Sequence, residues 1–137
     1  MTSDAVRQDM FTVLHGQETP IVTRWTYRTA DPFAVGLAVR IEQGRWVEWL
    51  VARDLVVESL DRPAGEGDIR MRPRYIGGCP IVEIEIRGTD GRAVLEVDRH
   101  LLHRFVGDTL AVVALGAEVD QVDLDAEIAR ITRTVAE

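Results

Sequence analysis

Apolar and polar residues alternate along most of this chain, and the alternation predicts strands before anything else. In Ser3 to Leu14, Val6, Met10 and Leu14 share one strand face with Gln8 and Thr12. Gly16 to Pro20 is a polar break. Ile21 to Arg28 predicts a strand with Ile21, Trp25 and Tyr27 on one face and Arg24, Thr26 and Arg28 on the other. Asp31-Pro32 signals a turn, after which Val35, Leu37, Val39 and Ile41 alternate with Ala34, Gly36, Ala38 and Arg40. Gln43-Gly44 gives the next turn, and Arg45 to Ala52 turns Val47, Trp49 and Val51 inward. Strands joined by short turns predict an antiparallel meander.

The alternation stops at Arg53 to Leu60, where Asp54 is a candidate N-cap for a short helix; Val56-Val57 suits a strand equally. Arg62 to Gly67 ends that element. A second set of strands follows. Asp68 to Tyr75 places Ile69, Met71 and Tyr75 on one face, Ile81 to Arg87 turns Val82, Ile84 and Ile86 inward, and Arg92 to Val97 groups Ala93, Leu95 and Val97. Asp90-Gly91 is a hairpin signal. A helix beginning near Asp98 carries the stripe Leu102, Phe105, Val106, Thr109 and Val113, with Gly107 inside it. After a connector, Asp123 caps a last helix with the stripe Leu124, Ile128, Ile131 and Val135. The order predicts an α+β fold: two antiparallel β-sheet units, each followed by a helix, and a C-terminal helix.

A length of 137 residues implies a single domain spanning 1–137, and 46% hydrophobic residues allow a packed core. No apolar run approaches the roughly 18 residues of a membrane span, and no basic stretch leads into an apolar block as in a signal peptide. The net charge of -7 runs against the basic footprint of nucleic-acid binders. All 16 basic residues are arginine, which leaves no lysine for Schiff-base chemistry. One cysteine, Cys79, forms no internal disulfide and fits a reducing cytoplasm.

Candidate chemistry is sparse. Arg70, Arg72 and Arg74 form a basic stripe, but Glu83 and Glu85 fall on the equivalent face of the next strand. A hairpin around Gly77-Gly78 is expected to set Arg74 opposite Glu83 and Arg72 opposite Glu85, neutralising the stripe. His100 and His103 have a metal-compatible spacing without further ligands nearby. Cys79 lies in a turn with no activating histidine beside it. Asp120, Asp123 and Asp125 lack the central glycine and closing glutamate of a calcium loop. Neither Ser3 nor Ser59 sits in a nucleophile elbow, and no phosphate-binding glycine loop is present. The expectation is therefore no catalytic residue, no cofactor and no metal.

The tryptophans are more informative. Trp49 shares the apolar face of its strand and is expected in the core. Trp46 shares the other face with Glu48 and Leu50, so Trp46 and Leu50 are candidates for a subunit or partner interface. Coverage by a second layer of the same chain is the alternative.

The segments TADPFAV, VEWLVARDL and LDRPAGEGDIRMRP, with the pair Glu48-Trp49 and the run Ala52-Arg53-Asp54, resemble the SsgA-like sporulation and cell-division proteins of filamentous actinobacteria. The helix from Asp98 to Val113 and the stretch VDLDAEIARI are similar to the family's C-terminal end, so the resemblance spans about residues 21 to 131. It implies a non-enzymatic adaptor for septum placement, which recruits the tubulin-like division protein FtsZ and promotes its assembly. It also implies a whirly-like fold assembled as a homotrimer, in the cytoplasm at the septum. Contacts with other SsgA-like proteins are expected, and membrane contact only through another protein. Proteins of whirly architecture elsewhere bind single-stranded nucleic acid, which is the rival reading; the acidic net charge opposes it.

Overall fold

The even-numbered positions of the first strand, Met10 and Thr12 among them, turn inward while their odd-numbered neighbours face out. The same period-two rule organises most of the architecture in a computed structural model that describes residues 5–121. The strands are β1 (Ala5–Leu14), β2 (Ile21–Arg28), β3 (Asp31–Arg40), β4 (Trp46–Ala52), β5 (Ile69–Ile76), β6 (Cys79–Gly88) and β7 (Gly91–Asp98). Helix α1 (Arg53–Ser59) follows β4, and α2 (Arg99–Val112) follows β7. The expected alternation of strand groups and helices is present. The two groups are nevertheless joined: the end of β1 pairs with β7 through Val13↔Glu96 and Leu14↔Leu95. All pairs are antiparallel, and the result is one seven-stranded sheet in the order β4-β3-β2-β1-β7-β6-β5. The expected last helix, with Asp123 and its stripe Leu124, Ile128, Ile131 and Val135, lies outside the described residues.

The core sits on the inner face, under the two helices. Trp25, Tyr27, Leu37, Val82, Ile84, Leu95, Leu102 and Phe105 are buried there. The Trp25 and Phe105 rings pack with centroids 6.0 Å apart, and burying one such indole contributes at most about 5 kcal/mol. Its Nε1–H donates to Thr23 Oγ1 at 3.1 Å, and Thr23 in turn bonds Thr12 across the strands at 2.9 Å. No polar hydrogen of the indole is left unsatisfied.

Asp98 caps α2, its side chain accepting from the backbone N–H groups of His100 and Leu101. The stripe read from sequence, Leu102, Phe105, Val106 and Thr109, is the buried face. Asp54, expected as the cap of α1, lies inside its first turn, and Ala52 occupies the cap position without a side-chain bond. The helix begins two residues early, at Arg53, whose side chain is drawn into the core. Asp54 still meets the positive end of the helix. The Asp31-Pro32 signal is likewise displaced: the turn is Thr29-Ala30, and Asp31 opens β3 opposite Arg28.

The β5–β6 hairpin turns on Gly77-Gly78, with φ of +58° and +81°. Two left-handed residues make a two-residue loop, and Ile76 pairs with Cys79. That sets Arg72 opposite Glu83 and Arg70 opposite Glu85, two residues from the expected register. A shift of two preserves the faces, so Arg72 and Arg74 still meet Glu83, while Arg70 bonds the Glu66 carbonyl. Tyr75 keeps the parity of Met71 but overhangs the core near the hairpin tip and is 76% exposed.

The two edges of the sheet differ. Beside β5, Ala64 forms a bridge to Met71, with hydrogen bonds of 2.8 and 2.9 Å. Pro73 removes one N–H from that strand, and three arginines flank it. β4 pairs with β3 from Arg40↔Trp46 to Ala34↔Ala52, and no second strand adjoins it among the described residues. Helix α1 contacts β3, β4 and β5, so the sheet curls until its ends approach each other across a hollow of about 500 Å³.

Gly65 makes the Ala64–Met71 bridge possible. It has φ of +94°, and a Cβ there would lie 2.4 Å from the Ile69 carbonyl oxygen. Gly65→Ala is expected to destabilise the fold by about 2–4 kcal/mol in urea unfolding monitored by tryptophan fluorescence, whereas Gly107→Ala, in open space on α2, is expected to be neutral or stabilising by up to about 1 kcal/mol.

Candidate functional site

The outer face of β1–β4 carries the exposed candidates. Period two places Trp46, Glu48 and Leu50 outward on β4; Trp46 is 37% and Leu50 65% exposed. Trp49 points inward as expected, but lies on the edge strand and is only half-buried. Trp46 is held in place. The Arg24 guanidinium lies 4.4 Å from its ring centroid, and that arginine is fixed by Asp9 through bonds of 2.9 and 3.2 Å. Arg24 holds the Asp9 carboxyl below its usual range.

Beside this ridge runs a trough along β3, floored by Ala34 and Gly36, with Thr26 on one wall and Glu48 and Leu50 on the other. A Cβ at Gly36 would lie 2.5 Å from Thr26 Oγ1, so the two walls close over a residue that has no side chain. On the far side of the ridge, Phe11, Arg24, Arg40 and Trp46 line a second hollow of about 320 Å³. Phe11 is 73% exposed and Val13 45%, and both face out from β1. The expected pair Trp46 and Leu50 therefore belongs to a larger apolar face, which includes Phe11. Its signal was present in sequence: Phe11 and Val13 are apolar at positions that alternate with the inward set.

A second cluster is buried. The Arg53 side chain is 1% exposed and donates to the Thr109, Val113 and Ala114 carbonyls at the end of α2. It pairs with Glu118 at 2.7 Å and stacks 4.8 Å from the Tyr27 ring centroid. The hydrogen bond from Arg53 holds the Glu118 carboxyl low, and burial beside this cluster pushes the Tyr27 hydroxyl up. One atom, Arg53 Nε, has no partner. A cation at the last carbonyls of a helix is a C-terminal cap. The cluster joins β2, α1, α2 and the turn Glu118–Gln121.

The third cluster is the former basic stripe. Arg72 gives Glu83 bonds of 3.1 and 3.0 Å, and Arg74 gives it one of 2.6 Å. Burial pushes the Glu83 carboxyl up, but the bonds from Arg74 and Arg72 outweigh it and hold the group below its usual range. Glu85 takes Arg87 at 2.7 Å and Arg92 at 3.7 Å. His100 and His103 are exposed on α2, Cys79 is exposed at the start of β6, and no group of three metal-binding side chains forms among the described residues. Ser59 is buried, bonding the Val56 carbonyl.

Fold and face together describe an α+β protein with one curled antiparallel sheet and an exposed aromatic face at its open edge. The chain belongs to the SsgA family: the family's model, described as the Streptomyces sporulation and cell division protein SsgA, matches residues 21–118. It is 38% identical over 112 residues to the sporulation-specific cell division protein SsgB of Streptomyces coelicolor, covering 82% of both chains. It is 36% identical over 114 residues to SsgB of Frankia casuarinae, covering 83% of this chain and 80% of that one. A crystal structure of an SsgA-like sporulation-specific cell division protein from Thermobifida fusca superposes with a TM-score of 0.83 at 31% identity, over 95% of this chain and 98% of that one. The family is one of cell division proteins and not a known enzyme family. No described helix is long and apolar enough to cross a membrane.

Asp9, Glu83 and Glu118 all have lowered folded-state values, so the stability they contribute is present above the unfolded carboxylate value and lost as pH falls through the folded one. Urea midpoints are expected to stay flat from pH 7 to about 5 and to fall below about pH 4. Glu83→Gln is expected to lose about 1 kcal/mol at pH 7 and to show a shallower acid limb. A wild-type chain more stable at pH 3.5 than at pH 7 contradicts this.

Proposed function

We propose that this chain is a non-enzymatic adaptor in sporulation-specific cell division. It positions the septum by recruiting FtsZ and promoting its assembly, the part we assign to SsgB-type members of the family. Membership in a family of sporulation and cell division proteins supports the setting, as do relatives named sporulation-specific cell division protein SsgB. The observation that carries the adaptor reading is the exposed face of Trp46, Leu50 and Phe11, where a tryptophan is pre-positioned by Arg24 and Asp9. Aromatic side chains held rigid before binding make effective interface anchors, because less rotamer freedom is lost on contact.

The chain works as a homotrimer on a whirly-like fold, located in the cytoplasm at the septum. It reaches the membrane only through another protein and meets other SsgA-like proteins there. Three copies of one weak site meet a filament of repeating subunits, so the second and third contacts form at high effective concentration. Avidity then exceeds the single-site affinity by about 10²-fold or more.

Single-stranded nucleic acid is disfavoured as the partner. The net charge is -7, and Arg72, Arg74, Arg87 and Arg92 are engaged by Glu83 and Glu85.

Co-sedimentation with FtsZ polymers, run beside a mass measurement in solution, tests the reading. The chain is expected to pellet with polymer. The double variant Trp46→Ala, Leu50→Lys is expected to pellet at least about ten-fold less while unfolding at a similar urea concentration. Obligate monomers that recruit polymer equally well contradict the avidity mechanism. Tight single-stranded DNA binding with a steep salt slope contradicts the adaptor itself.

A further inference from the structure

We propose that the edge of β4, which no second strand adjoins among the described residues, binds an extended segment of a partner protein as an added strand, running antiparallel to β4. The inference rests on the adaptor reading for the existence of a partner, and on geometry for the mode.

An open strand edge presents unpaired N–H and C=O groups, and folded proteins guard such edges with charge, proline or a covering segment. The β5 edge has all three: arginines, Pro73 and the Ala64 bridge. β4 reads WVEWLVA and has only Glu48. The unguarded edge is thus the more apolar one, a pattern that suits strand addition: main-chain bonds supply affinity and alternate side chains supply selectivity.

Both sides of an added strand have somewhere to go. Inward, its side chains enter the hollow between the sheet's two ends, where Trp49, Leu55, Ile69 and Ile86 line about 500 Å³. Outward, they lie beside Trp46 and Leu50. The far wall of that hollow is the same chain's own Ile69 and Ile86, so an added strand would have apolar side chains facing it on its inner side.

Every strand pair of the sheet is antiparallel, which sets the direction of an added strand, and charge then sets its ends. Arg40 and Arg45 flank the start of β4 and have no ion-pair partner among the described residues. Asp54 follows the end of β4, and Asp68 lies across the hollow there. Arg87 lines that end too, but is bonded to Glu85. An antiparallel strand begins at the acidic end and finishes at the basic one. The segment it fits has apolar residues at alternate positions, a basic residue before them and an acidic residue after them.

The test is fluorescence anisotropy of the full chain with a labelled eight-residue peptide of alternating leucine and threonine, lysine first and glutamate last. Saturable binding is expected. N-methylation of one alternate set of backbone amides is expected to weaken it at least ten-fold, with little effect from the other set, because only one set faces β4. Exchanging the terminal lysine and glutamate should weaken binding to the wild type several-fold, and the double variant Arg40→Glu, Arg45→Glu should reverse that preference. Absence of saturable binding, equal tolerance of both methylation patterns, or indifference to exchanged ends overturns the proposal. So does a peptide-free chain whose mass rises with concentration and is reset by Leu50→Lys, which puts a second copy on the edge. Peptide binding and FtsZ co-sedimentation can each fail without the other, so the two readings are separable.

Discussion

A buried arginine holds the layers of this protein together. Arg53 leaves the first turn of α1, passes the Tyr27 ring, and ends among the last carbonyls of α2 and the Glu118 carboxylate. A guanidinium is suited to this place, since its planar fork reaches several acceptors at once and it stays charged. The arrangement fixes where α1 lies, and α1 is what closes the curl of the sheet between β4 and β5. Breaking a buried charge pair by removing one partner leaves the other uncompensated, at about 3–5 kcal/mol. The docking edge thus depends on a contact that touches no partner.

The two faces and two edges of the sheet divide the work. The inner face is aliphatic and aromatic and is covered by the helices. The outer face of β1–β4 is exposed, with Trp46 fixed by Arg24 and the β3 trough kept open by Ala34 and Gly36. Of the arginines of the β5 strand, which in isolation suggest phosphate contacts, Arg72 and Arg74 are committed to Glu83 and Arg70 bonds the Glu66 carbonyl. Charge on this surface mostly organises the protein itself.

Local pattern made the strands, the inward sets, the start of α2 near Asp98 and the shared outer face of Trp46 and Leu50 readable from sequence, because each depends on periods of 2 or 3.6 residues. What stayed hidden was non-local. The β1–β7 pairing decides that β4 is an edge, and no window of sequence contains both strands. The hairpin register slipped by two residues because period-two reading cannot tell registers of equal parity apart, and only the left-handed pair Gly77-Gly78 fixes the loop length. Arg53 stood only at the point where the alternation stops. Its one signal was its place in the Ala52-Arg53-Asp54 run that carried the family resemblance. Phe11 and Val13 stand on the outward, odd-numbered positions of β1, where two apolar residues among polar ones give only a weak signal.

Hydrogen exchange on the full chain bound to FtsZ polymers asks where the partner sits. Slowed exchange is expected in residues 46–52, with residues 90–98 and α2 unchanged from the free protein. Protection confined to β5–β7 or to α2, with β4 exchanging as in the free chain, contradicts the docking edge described above.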